Sequence, residues 1–188
     1  MFLRCAALQL QLLVRLLQLG ARPEQGAAQE ATSTVVEEVA TGTDIKGDGA
    51  GWTTVRLGVV LQGDAVNVYT LYGTEELPLA VAAAYQCATP FGANIGGTNP
   101  AFFSVASNAA LGFAEFDSWL TVGITEGDSS NALSSIGIEW ETWSEAGALS
   151  TTNGAVFWLS PPDGPAKGAG AGGMDAVVAQ LTVPDGSP

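Results

Sequence analysis

Residues 113–143, FAEFDSWLTVGITEGDSSNALSSIGIEWETW, constrain this chain more than any other stretch, because they set Trp119, Trp140 and Trp143 in two short strand-like runs. The first run, 118–125, is too short and too rich in β-branched residues for a helix, and the second, 135–143, alternates with a period of two. Between them, 126–134 reads EGDSSNALS. Its Gly, Asp, Ser and Asn accept positive φ or bond their own backbone, so the spacing predicts a hairpin with a long loop.

The same pattern recurs along the chain. Residues 52–61 alternate, with Thr53, Val55, Leu57, Val59 and Leu61 on one face. Gly63-Asp64 suits a type II′ turn, which predicts a partner strand over 65–72 with one of Tyr69 and Tyr72 partly exposed. Further strands are expected at 33–40, as an edge, and at 155–159 and 175–183. The stretch 80–85 reads as a helical turn or a strand, and 101–105 as a short apolar strand or core plug. Short strands punctuated by Gly, Pro and Asn predict an all-β fold: an antiparallel β-sandwich of jelly-roll-like type, with a closed barrel as the alternative.

With 188 residues the chain has room for one such body once its N-terminus is set aside. The expected organisation is a targeting segment at 1–28, a small polar lead-in at 29–51, and a single β-sandwich domain at 52–188. Residues 1–28 join an early Arg4 and a leucine-rich middle to a small-residue end, as in a secretory signal peptide cut near Ala28. Arg15 interrupts that apolar middle. On a helix, Arg4, Gln11, Arg15, Gln18 and Arg22 would fall within roughly 60° of one another, the pattern of an organellar import peptide. Secretion or cell-surface display is the first expectation and organelle import the second.

Acids outnumber bases 19 to 6, for a formal net charge of -13, and Arg4, Arg15 and Arg22 lie in the leader. Such a field repels phosphate, which argues against nucleic acid and anionic membrane surfaces as partners. The chain has no histidine, so Ser-His-Asp and Cys-His catalysis, imidazole bases and histidine-ligated metals are excluded. Of its two cysteines Cys5 belongs to the leader. Cys87 is then either a buried small hydrophobe or, if exposed, a thiol for intermolecular pairing. Carboxylates, hydroxyls, amides and aromatic faces remain.

On an extended strand Glu139 and Glu141 would project to one side, about 6.5–7 Å apart, with Trp143 on the same face and Ile136, Ile138 and Trp140 in the core. Paired carboxylates at that distance suit glycoside hydrolysis; the same residues also describe the wet side of a surface strand. Trp143, with Tyr69 or Tyr72, makes a stacking platform for a sugar ring, unless it caps the core instead. Glu126, Asp128 and Asn131 offer hard oxygens to calcium, or form a plain polar loop. The run 44–49, DIKGDG, opens like a calcium loop, but Lys46 stands at a ligand position and Val55 where a bidentate Glu belongs, which leaves a looser calcium site or a solvated turn.

Residues 116–123, FDSWLTVG, with Val66-Asn67-Val68-Tyr69, Pro90-Phe91-Gly92 and Gln180-Leu181-Thr182, resemble a group of secreted β-domains from microbial eukaryotes and bacteria, over about 52–183. The resemblance implies export and a sandwich fold and transfers no site residue. The sequence thus leads to a secreted, non-enzymatic binding or structural module for extracellular carbohydrate or matrix. The alternatives are a carbohydrate-active enzyme using Glu139 and Glu141, and a self-assembling coat or matrix protein.

Overall fold

The computed structural model describes residues 17–20, 31–168 and 173–187, with side chains described from residue 33 onward. In chain order its strands are β1 (Leu17–Gly20), β2 (Ala31–Thr43), β3 (Trp52–Leu61), β4 (Asn67–Tyr72), β5 (Leu79–Val81), β6 (Ser107–Asn108), β7 (Gly112–Phe113), β8 (Trp119–Leu120), β9 (Leu133–Ile136), β10 (Leu149–Thr151), β11 (Ala155–Trp158) and β12 (Ala176–Pro184). Two four-stranded antiparallel sheets, β1-β4-β11-β9 and β2-β3-β12-β8, carry the fold, with β5-β10 and β6-β7 as two-stranded additions. Among the described residues no sheet closes into a barrel. The pairs β3/β12, β4/β11 and β5/β10 are nested, outermost with outermost. A long folded-over hairpin of this kind, rolled so that successive pairs alternate between sheets, makes a jelly-roll-like sandwich.

The main core lies between the sheets, where Leu57, Val59, Leu61, Val68, Leu71, Leu120, Val122, Val156 and Val178 meet almost without solvent contact. The expected face of β3 is therefore core at Leu57, Val59 and Leu61, but Trp52 and Thr54 on the opposite face are buried too. A third layer covers that side. It is built from the irregular chain between β5 and β8, whose Tyr85, Cys87, Ala106 and Ala114, with Phe91, Phe103, Phe113 and Phe116 around them, pack on Ile45 and Trp52. Strand β12 is consequently covered on both faces along most of its length.

Polar groups join this layer to the sheet. The Gln180 amide donates to the carbonyls of Glu115 (3.1 Å) and Asp117 (2.8 Å), while its oxygen accepts from Arg56 Nε at 3.0 Å. The Ser118 hydroxyl accepts the Thr182 N–H at 3.0 Å, and Thr54 and Thr182 share a hydroxyl bond of 2.7 Å. Thr54, Asp117, Ser118, Gln180 and Thr182 are all buried, so their polar groups need these partners.

Several local expectations are corrected. The runs 118–125 and 135–143 form no hairpin: β8 lies in one sheet and β9 in the other, and 121–132 crosses between them. The Gly63-Asp64 turn forms, with Gly63 at φ 58 and Ala65 N–H bonded to Gln62 O, but it too is a corner between sheets, because β3 and β4 do not pair. Turn chemistry dictates a reversal of the chain, not which strand the returning segment joins. Residues 101–105 are not a strand: Pro100–Phe102 is a 3-10 turn capped by Asn99, on the surface, and only Phe103 packs inward, against the Ile45–Trp52 cluster. β2 is the expected edge strand, and it pairs with β3 from Ala31↔Leu61 to Thr43↔Trp52. Of residues 1–28, only 17–20 are described; they are extended and paired with β4. The expectations for Arg4, Cys5, Arg15 and Arg22 concern residues outside those described.

Replacing Ser118 by Ala leaves the buried Thr182 N–H without an acceptor. The expected loss is about 1–3 kcal/mol of unfolding free energy, read by urea titration.

Candidate functional site

Where sheet β2-β3-β12-β8 ends, the third layer turns alongside it: Ile95 bridges Leu120 in parallel, Leu120 N–H bonds Asn94 O, and Gly96 N–H bonds Leu120 O. The crossing loop 126–133 rises on the other side and is tied back by Gly127 N–H to Gly96 O at 3.0 Å. Gly97 sits at φ 85, and a Cβ there would run into the Thr125 backbone. The two segments enclose an open cleft of about 370 Å³ lined by residues of 90–102 and 127–133.

One wall is aromatic. Phe91 and Phe102 meet edge to face, centroids 5.7 Å apart at 73°, and Phe102 stays 36 % exposed. Asn99, Asp128 and Asn131 also line the cleft. Asn99 Oδ1 accepts the Ala101 N–H at 2.9 Å, which leaves its amide nitrogen out of that bond. Asp128 Oδ1 accepts from Ser130 N–H (2.9 Å) and hydroxyl (2.5 Å), and Oδ2 accepts from Leu133 N–H at 2.7 Å. Slight burial raises the Asp128 pKa, but the bonds from Leu133, Ser130 and Ala132 outweigh it and hold the carboxyl below its usual range. Asn131 takes φ 53, a left-handed conformation that Asn tolerates better than most residues and that often marks a functional turn.

Behind the first wall stands Asp117, with no solvent exposure. Its Oδ1 accepts Cys87 N–H at 2.7 Å; its Oδ2 accepts Ala93 N–H at 2.6 Å and the Thr98 hydroxyl at 3.0 Å. Burial of the charge pushes its pKa up from 3.8 to about 6, against the pull of these donors and of Ser118 N–H. Tyr85 and Cys87 pack nearby. Burial is the main cause lifting the tyrosine to about 12, and it raises the thiol as well. Cys87 is 7 % exposed, a buried small hydrophobe.

The cleft gathers only two of the sequence-derived candidates, Asp128 and Asn131. Glu126, the third of that set, is exposed and outside the lining, and among the described residues no three acidic, Cys or His side chains come together to hold a metal ion. The loop at 44–49 spends its first carboxylate internally: Asp44 accepts N–H bonds from Gly47, Asp48 and Gly49.

Glu139 and Glu141 do not share a strand face. β9 ends at Ile136, Gly137 at φ 65 turns the chain, and Trp140–Thr142 is a 3-10 turn with both carboxylates exposed and outside the cleft. Ile136, expected in the core, is 66 % exposed, whereas Ile138 and Trp140 pack partly against it. Trp143 is 3 % exposed and its indole N–H donates to Ala82 O at 2.9 Å, so its ring belongs to the core and offers no stacking face. Tyr69 and Tyr72 are both half-buried, and neither reaches the cleft.

Phe91, Phe102, Asn99 and Asp117 escaped the sequence reading. Two signals for them are present: a Phe between Pro90 and Gly92 cannot sit inside a strand, and an Asp between Phe116 and the Ser118-Trp119-Leu120 run enters the core with the apolar residues around it. No family model, curated protein or solved structure matches this chain.

Two outcomes are expected on unfolding. Trp143→Ala should lose about 3–5 kcal/mol in urea titrations, as a large core deletion does. For Asp117 the folded-state pKa lies above the unfolded one, so the folded chain holds the proton more tightly. The stabilisation from this group is complete below about pH 3.8 and is lost as pH rises past about 6, a span worth about 3 kcal/mol. Measured from pH 4 to 7, wild type should show that fall relative to Asp117→Asn, which has no proton to lose; parallel curves would contradict it.

Proposed function

We propose that this chain is a non-enzymatic glycan-binding module of an extracellular or cell-surface layer, and that the cleft between 90–102 and 127–133 receives the sugar. The observation that carries this reading is the pairing of an aromatic wall, Phe91 and Phe102, with amides and an anchored carboxylate, Asn99, Asn131 and Asp128, across one open cleft. A pyranose presents an apolar C–H face and a ring of hydroxyls, and those two linings complement the two. The cleft volume falls within the roughly 300–1,000 Å³ of small-ligand sites. With Asp128 charged and a net charge of -13 around it, neutral sugars are favoured over acidic ones.

Binding is favoured over hydrolysis by the carboxylate count in the lining. Glycosidases generally set two carboxyl groups across the scissile bond, and Asp128 is the acid that lines this cleft. The coat or matrix reading draws on a different feature, the open side chains of Ile136 and Leu159, 66 % and 60 % exposed.

The test is calorimetric titration with a panel of neutral oligosaccharides, in calcium and in chelator. Phe102→Ala and Asn131→Gly should each weaken binding by about tenfold, or about 1.4 kcal/mol, with unfolding midpoints close to wild type. Dependence on calcium would place a cation beside Asp128. Absence of binding across the panel, or binding indifferent to both substitutions, would refute the proposal.

A further inference from the structure

The two sheets are finished differently on their outer sides. The third layer packs over β3 and β12 in one of them, while the other, β1-β4-β11-β9, stays open at Ile136 and Leu159, the two most exposed large hydrophobic side chains among the described residues. Its inward positions, such as Leu71, Leu133 and Val156, fill the core. On the alternate positions Tyr72, Ala155 and Ile136 stand in one row across the strands, and Thr70, Phe157 and Ser134 in the next. The bond from Leu159 N–H to Ala132 O carries the ladder one step further, so Leu159 follows Ala155 and Phe157 on the outer side.

This sheet is also free of charge. Its strands read LQLG, NVYTLY, AVFW and LSSI, whereas β2 and β3 of the other sheet carry Glu37, Glu38 and Arg56. In a chain of net charge -13 that difference selects the partner. Two copies that meet elsewhere set acid against acid; two that meet here bury apolar surface with no charge to desolvate. A basic partner finds no carboxylate on these strands to pair with. The free edge of β9 is closed to an added strand, because Asp128 takes the Leu133 N–H and Gly137 at φ 65 turns the chain away after Ile136. Contact is therefore face to face.

The layout of the open side chains suits a symmetric pairing. Ile136 stands opposite Ala155, four residues before Leu159, so Ile136 and Leu159 lie roughly 14 Å apart with Phe157 between them. We propose that this face is the contact between two copies of the chain, related by a two-fold axis near Phe157, so that Ile136 of each copy meets Leu159 of the other. In such an isologous interface each contact is made twice. The proposal goes beyond the glycan reading and does not rest on it. Of the cleft lining, Leu133 belongs to this sheet, and its side chain is buried in the core, so face and cleft are separate surfaces.

The area sets the strength. The outer face of β4, β11 and β9 spans roughly 15 by 17 Å, well under the ~800 Å² per partner of a standard interface. The dimer is accordingly weak, with a dissociation constant on the order of 10⁻⁴ M. It forms where copies are crowded, and it strengthens as salt screens the repulsion between the acidic bodies.

Sedimentation equilibrium of the full chain tests this, from about 10 to 500 μM protein and from about 0.05 to 0.5 M salt. The mass should rise from monomer toward dimer with concentration, stop there, and rise further at the higher salt. Ile136→Glu and Leu159→Lys, both at exposed positions, should each weaken association at least tenfold without moving the unfolding midpoint. Combined in one chain they should restore part of it, because the two-fold sets each new carboxylate against a new ammonium. Val105→Glu, exposed on the third layer, should change nothing. A mass that stays monomeric throughout, growth past the dimer, association indifferent to Ile136→Glu, or a combined variant no better than its parents would overturn the proposal.

Discussion

A buried carboxylate and the amide beside it hold the layer on which the rest of this structure depends. Asp117 and Gln180 stand back to back, one gathering the loop at 87–98, the other pinning the 115–117 turn to β12. Without them the outer face of β3 and β12, with Trp52, Thr54 and Thr182, would meet water, and the chain would be a two-sheet sandwich with a loose cover. With them it has a third layer, and the rim of that layer becomes a cleft wall.

The same arrangement explains why no strand or helix is needed along 87–98. Hydrogen bonds to a single acceptor pair and an aromatic cluster of Phe91, Phe103, Phe113 and Phe116 replace the ladder bonds that a strand or helix would supply. This is a less forgiving solution than a strand, since the fixing points are few and buried.

How far the fold is legible in the sequence follows from the range of the forces involved. Strands with strong alternation or continuous apolar content, such as β3, β11 and β12, stand within a residue or two of where the pattern puts them, because burial acts residue by residue along the strand. Pairing is not legible in this way. Gly63-Asp64 and 126–134 are good turns, but both join strands in opposite sheets, since nested long-range pairs such as β3/β12 and β4/β11 decide the partners. The failure at Glu139 and Glu141 has the same root: Gly137 at positive φ ends the strand before the alternation does. Trp143 was legible both as a stacking platform and as a cap on the core, and only the fold decides between them, by burying the ring and bringing Ala82 O to its indole. Asp128 and Asn131 were legible as polar loop residues, whereas their aromatic counterparts, Phe91 and Phe102, arrive from 26 to 40 positions earlier in the chain.

The central claim is that the cleft between Phe91–Phe102 and Asp128–Asn131 is where this protein meets its ligand, and amide-shift mapping of the isotope-labelled chain during an oligosaccharide titration tests it most directly. Saturable shifts confined to Phe91, Gly97, Asn99, Phe102 and the 127–133 loop are the predicted result. Shifts centred instead on the exposed sheet face at Tyr72, Ala155 and Ile136, or no saturable shift with any neutral sugar, would contradict it.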